Sequence, residues 1–471
     1  MYLLSATFLM FTLCGAVLSR VFREDPAKRS KALAWLTACF WLFIDLRSAV
    51  VLVLVASWVY VISSMIADSK DALQRRFLQR VGVSVVAAVL LGWRVVPALV
   101  DVAGRVGVFH IWIDSWWQPI GVAIMAIQAV SVIVDVGRRD TETPSFAEAL
   151  LICGFFPKAA AGPLVRCAPF LEQLRARWDG NVPIEKVAVL ICAGAFKRYV
   201  LSESIGHYVD LTSRSWGGAG RVDMLLLLLC AAVRPVVDIA AYTDIAIAAG
   251  LCCGVILPSN FRAPFSAWSV GELFRRWHTS VSGFFRDYVL PPLRGGSRSS
   301  DVRLFLAVIG TFVLVGAWHS LSWATLLWGG ALGLPVAVET VRNRHRARKG
   351  IRRKQPPVGA KRWAMAVVTF LYFALVSVLV GAGSLSHHAD SVRDVYNAGW
   401  FDSRVATWYA AGCVLLSWAV GAGLFARVGA AVETVFSRVP GVVLGVLVAL
   451  TVTFAAGFVG NGIPHFLYQS L

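Results

Sequence analysis

Charged side chains are scarce in this 471-residue chain, at 15%, where a soluble domain carries roughly a quarter. With 58% of the residues hydrophobic, that shortage excludes an ordinary water-soluble globule and makes lipid the solvent for most of the chain. Paired cysteines are missing as well. The nine Cys form no CxxC and fall almost entirely in apolar runs, so they read as small core residues with no metal or disulfide role. No GxSxG elbow, HExxH, Walker loop or GxGxxG occurs, which leaves serine-nucleophile, zinc and nucleotide chemistry without support. Acids are outnumbered by bases, 27 to 45, for a net charge of +18. A nucleic-acid partner does not follow, because the bases sit in short segments between apolar runs. There they set orientation and meet anionic headgroups.

What is present is a series of apolar stretches near the ~20 residues a bilayer span needs. They lie at 2–19, 32–48, 49–66, 81–100, 119–136, 146–163, 184–206, 222–256, 302–318, 322–341, 363–385, 404–426 and 439–460. The pattern predicts an all-α polytopic membrane protein with roughly 11–13 transmembrane or re-entrant helices. The first stretch reads as a retained helix or signal anchor. Two stretches are expected to be interrupted: 146–163 by Pro157 and Pro163, and 222–256 by Arg234, Pro235 and its Asp residues. One integral membrane domain over 1–471 is expected, with a motif-bearing core at about 119–330 and a basic, headgroup-facing cytoplasmic loop at 342–362. If the N-terminus is outside, the clusters Arg20–Lys31, Lys70–Arg80, Arg138–Arg139 and 342–362 all fall on the cytoplasmic side, as the positive-inside rule requires.

Two of the eight histidines resist a bland explanation. His319 is the sole titratable side chain in 304–338 and stands at the junction of two apolar helices, a position that suggests function. His278 follows Phe274, Arg275, Arg276 and Trp277. On one continuous helix, Val270, Phe274, Trp277, Val281, Phe285 and Tyr288 would form an apolar face. Arg275, Thr279, Ser282 and Arg286 would form a polar stripe, with Glu272 pairing Arg276 at i+4. Each charge at the bilayer midplane costs about 2.5–3.5 kcal/mol on insertion scales, so this helix must lie in the interface or line a polar pocket. A neutral imidazole can take a proton from a hydroxyl near neutral pH, activating it for attack on a thioester carbonyl. The competing reading of each histidine is a structural imidazole bonded to a carbonyl or packed under aromatics.

These residues carry a family resemblance. The block runs from Tyr242, Thr243 and Asp244 through Leu257, Pro258, Asn260 and Phe261 to Phe274–His278 and Ser280. It continues with Phe285, Arg286, Asp287 and Tyr288, then Pro292, Leu293, Gly295 and Gly296. It resembles the signature of bacterial membrane-bound O-acyltransferases, the alginate O-acetyltransferase branch in particular. Trp318-His319 followed by Trp323 and Leu327–Gly329 resembles the second histidine motif of that family. Pro119–Gly121, Gln128–Ser131, Phe156–Lys158, Gly162–Arg166 and Phe196–Arg198 match in order upstream, and Ile463–Tyr468 gives a weaker echo. The resemblance implies His319 as general base and His278 as a second catalytic or positioning residue. Arg275, Arg276, Trp277, Arg286 and Asp287 would shape the donor pocket, with Asn260, Trp318 and Ser320 also among the substrate-binding candidates. Ser320 stands where alginate-type members commonly have Gly.

The resemblance further implies an acyl group, acetyl first, moved from a cytoplasmic acyl-CoA or acyl-carrier-protein thioester to an extracytoplasmic hydroxyl. The acceptor would be a polysaccharide or cell-envelope glycan, reached directly or through a periplasmic or extracellular partner transferase. No tightly bound cofactor and no metal are expected, and the chain would sit in a bacterial inner or plasma membrane. D-alanyl transfer to teichoic acid, and succinyl or longer acyl transfer to an envelope glycolipid, stay open. A proton-coupled transporter or channel using the two histidines as a relay is the reading from another class.

Overall fold

The structure is a computed structural model that describes residues 5–105, 120–159, 161–214, 221–296, 299–351, 355–381 and 405–456. Pro119, Ala160, residues 352–354 of the basic run and the Ile463–Tyr468 segment lie outside the described residues. The chain is all-α, with no strand among the described residues. Six helices there are long and apolar enough to cross a membrane: Leu46–Asp68, Ala72–Trp93, Arg221–Cys252, Asp301–His319, Trp323–Arg348 and Gly359–Ser377. Ala6–Val21, Thr407–Gly421 and Gly441–Ala455 are shorter apolar helices.

The chain packs as two compact units, Met1–Pro183 with Ala246–Pro258, and Ile184–Ile245 with Ser259–Leu471. The first holds α1 (Ala6–Val21), α2 (Pro26–Ile44), α3 (Leu46–Asp68), α4 (Ala72–Arg105), α5 (Val122–Arg138), α6 (Phe146–Gly154) and α7 (Cys167–Arg175). Its helix starts are written in local sequence. Asp25 caps α2 by accepting from the Lys28 N–H at 3.0 Å, with Pro26 at the first helical position. Asp45 caps α3 by accepting from Ser48 N–H at 2.9 Å, so the break between these helices falls there and not at the 48/49 boundary expected from hydropathy. Phe8, Phe11, Phe40 and Phe156 pack edge-on or tilted with centroids 5.2–6.4 Å apart, the offset geometry aromatic rings favour. The expected interruption of 146–163 is present: α6 stops at Gly154 and a 3₁₀ turn, Phe156–Lys158, follows.

The second unit begins with α8 (Ile184–Ala195), which passes through a π-helical turn, Phe196–Ser202, into α9 (Glu203–Arg214). The 32-residue α10 (Arg221–Cys252), which belongs to this unit as far as Ile245, comes next, and it corrects an expectation, for it runs unbroken through Pro235. Its acids are the reason, since each is bonded by a neighbouring element. Arg198 reaches Asp238 at 2.8 Å, Lys197 pairs with Asp244, and Tyr208 and Thr407 donate to Asp223 at 2.8 and 2.6 Å. Paired charges need not leave the helix to find water.

Beyond α10 lie α11 (Val270–Arg276), α12 (Thr279–Phe284), a π-helical turn Phe285–Val289, α13 (Leu290–Arg294), α14 (Asp301–His319), α15 (Trp323–Arg348) and α16 (Gly359–Gly381). The unit ends with α17 (Val405–Gly421), α18 (Ala426–Phe436) and α19 (Gly441–Ala456). The first part of the expected 342–362 loop is helix, because α15 continues to Arg348. Asp301 at the start of α14 holds it there, facing Arg348 at 3.0 Å and Arg344 at 3.5 Å.

Candidate active site

Two histidine clusters lie in the second unit. The first forms at a break that periodicity did not anticipate. The single helix expected from Val270 to Tyr288 stops at Arg276, and α12 restarts at Thr279. Between them His278 adopts φ +43°, ψ +50°, a left-handed conformation costing a non-glycine residue about 1–2 kcal/mol. Contacts distant in sequence hold it. The Asn260 carbonyl accepts from Thr279 N–H at 2.8 Å, and the Ser259 carbonyl accepts from the Thr279 hydroxyl at 2.7 Å. The Asn260 side chain, fully buried, accepts from Ser280 at 2.6 Å and donates to Thr243 at 3.1 Å. Asn260 therefore acts as a clasp between α10, its following loop and α12. Strain held by surrounding bonds in this way is a mark of functional sites.

His278 is buried against the Phe261 ring, with centroids 6.1 Å apart. Its Nδ1 has no hydrogen-bond partner among the described residues, and burial pulls its pKa down to about 4. The imidazole is therefore neutral across physiological pH. Trp277 closes the cluster, packing on Phe373 at 4.6 Å and Phe261 at 5.6 Å. The expected Glu272–Arg276 pair is present at 2.7 Å, and Glu272 also takes Arg275 at 2.8 Å. Glu339 adds a second acid near Arg275 at 3.4 Å, so both arginines are already partly neutralised by protein carboxylates.

The second cluster sits at the end of α14. His319 is the last residue of that helix, its ring 4.8 Å from Trp318 and 5.4 Å from Trp328 by centroid. The indole Nε1 atoms of Trp318 and Trp328 are both buried without a hydrogen-bond partner among the described residues. A tight helical hairpin sets this position. A Cβ at Gly316 would lie 2.1 Å from the Thr325 carbonyl oxygen, and one at Gly329 would lie 2.2 Å from that of Phe312. Only glycine permits backbones this close. Ser320 caps α14, its N–H bonded to the Gly316 carbonyl at 3.0 Å and its own carbonyl accepting from the Thr325 hydroxyl at 2.5 Å.

Aromatic contacts fix α11 and the π-turn against α14, with Phe274 on Phe312 at 4.8 Å and Phe285 on Trp318 at 6.3 Å. The structure thus gathers Asn260, Trp277 and His278 into one cluster and Trp318, His319 and Ser320 into the other. Arg286 and Asp287 pair with each other at 2.8 Å, and the arginine is exposed. Sequence reasoning passed over Trp328 as a site residue, although an aromatic in the span after a lone histidine was a usable signal.

This constellation, imidazoles with two buried indole N–H groups that have no hydrogen-bond partner among the described residues, in a membrane-embedded all-α chain, suits hydroxyl activation for acyl transfer. The profile of the MBOAT, membrane-bound O-acyltransferase family, matches residues 36–381, and the chain belongs to that family. Among individual proteins it is similar to a probable alginate O-acetylase of Azotobacter vinelandii. The two are 29% identical over 243 residues, or 50% of this chain and 47% of the relative. A peptidoglycan O-acetyltransferase of Helicobacter pylori is 27% identical over 41% of this chain and 37% of its own. A teichoic acid D-alanyltransferase of Streptococcus thermophilus is 24% identical over 57% and 69%. The alignments span about half the length of the alginate O-acetylase relatives.

Proposed function

We propose that the chain moves an acyl group, acetyl first, from a cytoplasmic acyl-CoA or acyl-carrier-protein thioester to a hydroxyl of an extracytoplasmic polysaccharide or cell-envelope glycan. His319 is the general base. The observation that carries this reading is its placement, a lone titratable side chain in residues 304–338 at the end of α14 between two indoles whose N–H groups have no partner among the described residues. The imidazole takes the acceptor hydroxyl's proton as oxygen attacks the thioester carbonyl. The indole N–H groups are donors for the oxyanion that forms, and the thiolate leaves with the proton returned by the imidazole. His278, neutral and buried, offers Nδ1 as a second polar contact for the acceptor.

The positive-inside pattern supports an extracytoplasmic N-terminus and a bacterial plasma membrane, with the donor on the basic side. D-alanyl transfer is the second reading, favoured by the larger share of the Streptococcus relative that aligns. The experiment is mass spectrometry of envelope glycan from a deletion strain complemented with wild type or His319→Ala. Wild type restores a mass that names the acyl group, and His319→Ala, inserted at wild-type level, restores none. Full restoration by His319→Ala overturns the mechanism.

A further inference from the structure

Arg234 is the charge of α10 that the packing leaves over. Each acid of the helix has its partner, and Arg198, already on Asp238 at 2.8 Å, also lies 3.9 Å from Glu203 of α9. Arg234 itself has no ion pair and no hydrogen bond among the described residues. Its Nε is buried, but the terminal nitrogens are not sealed in with it, and the residue is partly exposed. It stands thirteen residues, about 20 Å, from the first residue of α10 and eighteen, about 27 Å, from the last. An ionisable side chain so deep in an apolar span is expensive and marks function by default. The neighbouring helix makes room for it. A Cβ at Gly206 of α9 would lie 2.5 Å from Nη2 and 2.7 Å from Cζ of Arg234, so a side chain there would displace the guanidinium. Glycine weakens a helix interior, and this one stands where the arginine needs the space. His207, next along α9, is exposed.

We infer that Arg234 is a binding site for an oxyanion, carboxylate or phosphate, carried by the glycan acceptor. This rests on the acyl-transfer reading above. A guanidinium without a protein partner offers paired N–H groups in the geometry that carboxylate and phosphate oxygens accept. The side of approach follows from the crossings of the chain. No helix between α10 and α14 is long and apolar enough to cross a membrane among the described residues, so α10 ends on the side where α14 begins. There Asp301 faces Arg344 and Arg348 at the basic end of α15, the cytoplasmic side by the positive-inside rule. α10 therefore starts outside, and Arg234 is approached from the acceptor's side. A polymer repeats its anionic group, so one residue can be held at Arg234 while the hydroxyl of another reacts. Such a contact is made alike in ground and transition states, so it lowers KM and leaves kcat.

The test is binding, independent of turnover. The full chain, purified into phosphatidylcholine nanodiscs, is titrated with an oligoglucuronate, an oligo(glycerol phosphate) and a neutral oligoglucan. Binding is followed by the rise in unfolding temperature that it produces. At least one anionic oligomer should bind about tenfold or more tightly than the glucan, the scale of one hydrogen bond to a charged group, and the better of the two names the oxyanion. Arg234→Gln should cut that preference to about twofold or less without lowering the unfolding temperature of the unliganded protein, because it removes an unpaired charge. Misfolding cannot imitate that pair of results. Gly206→Ala keeps the charge but displaces it, and should reduce the preference as well. Arg342→Gln, which removes an exposed cation of α15, should leave the preference intact. Equal binding of the three oligomers, a preference that Arg234→Gln keeps, or one that Arg342→Gln abolishes overturns the inference. An Arg234→Gln protein that unfolds earlier than wild type makes the arginine structural and overturns it too. Anion binding that depends on Arg234, in a chain that transfers no acyl group, keeps the site and removes the proposed function.

Discussion

Replacing Trp318 or Trp328 by Phe separates a catalytic role for the indoles from a structural one, because the two roles move stability and activity differently. Each indole N–H is buried without a hydrogen-bond partner among the described residues, a condition that costs the folded protein about 1–3 kcal/mol per group. Phenylalanine removes that donor. It also gives up part of a buried ring, about 1–2 kcal/mol at roughly 0.8 kcal/mol per methylene-sized group. The terms nearly cancel, so the unfolding temperature should move by only a few degrees. If the N–H donates to the oxyanion, its loss lowers kcat by about 10²-fold, the scale for one oxyanion-hole donor, with KM little changed. The assay is acyl transfer by variant and wild type in the same nanodiscs, beside thermal unfolding. A variant with wild-type kcat, or one whose kcat falls only in proportion to lost folded protein, refutes the role.

Two further outcomes follow from the same clusters. His278 has its pKa lowered by burial from 6.5 to about 4, so the unfolded chain binds a proton below pH 6.5 that the folded chain refuses. Its stability contribution is complete above that pH and falls by about 3 kcal/mol as the pH drops towards 4. Thermal unfolding from pH 7 to 4.5 should therefore be steeper in wild type than in His278→Gln, and equal slopes would show that the imidazole is not desolvated. Gly316→Ala puts a methyl 2.1 Å from the Thr325 carbonyl oxygen and should destabilise by about 1–3 kcal/mol as an overpacked contact, with transfer lost because His319 is three residues on. Gly310→Ala on the same helix meets only Leu293, at 3.9 Å, and should unfold no earlier than wild type.

Much of the site was legible because charge is scarce in lipid. A lone histidine in a long uncharged stretch stands out without any fold in hand, and His319 lies where that argument placed it, at a helix junction. The caps Asp25, Asp45 and Ser322 are local too, each accepting a backbone N–H of its own helix, yet hydropathy alone puts the α2–α3 break at 48/49. What periodicity could not supply was the break at His278. The residues from Val270 to Tyr288 satisfy a helical pattern as well as any true helix. The bonds that override it come from Ser259 and Asn260, about twenty positions upstream. Local pattern states what a segment prefers alone, and this segment is held in a costlier conformation by partners the pattern does not contain.

The same limit explains α10, where Arg234, Pro235 and the acids looked like reasons to interrupt a span. An acid at the middle of a helix is a fault only while it is unpaired. The π-turn at Phe196–Ser202 supplies two consecutive cations, Lys197 and Arg198, that reach Asp244 and Asp238. Those acids are six residues apart, or about 9 Å along the helix at 1.5 Å per residue. One cation alone could not serve both. The π-turn, a rare geometry concentrated at functional places, is thus bonded to α10 at two heights. The Arg198 bond, with Ser202 also donating to Asp238 at 3.2 Å, is buried in the helix packing. The Lys197 bond to Asp244 is the more exposed of the two, though both side chains are still largely buried. Adjacent residues of one motif therefore meet two acids of the long helix, and Arg198 and Lys197 each remove one unpaired charge from its middle.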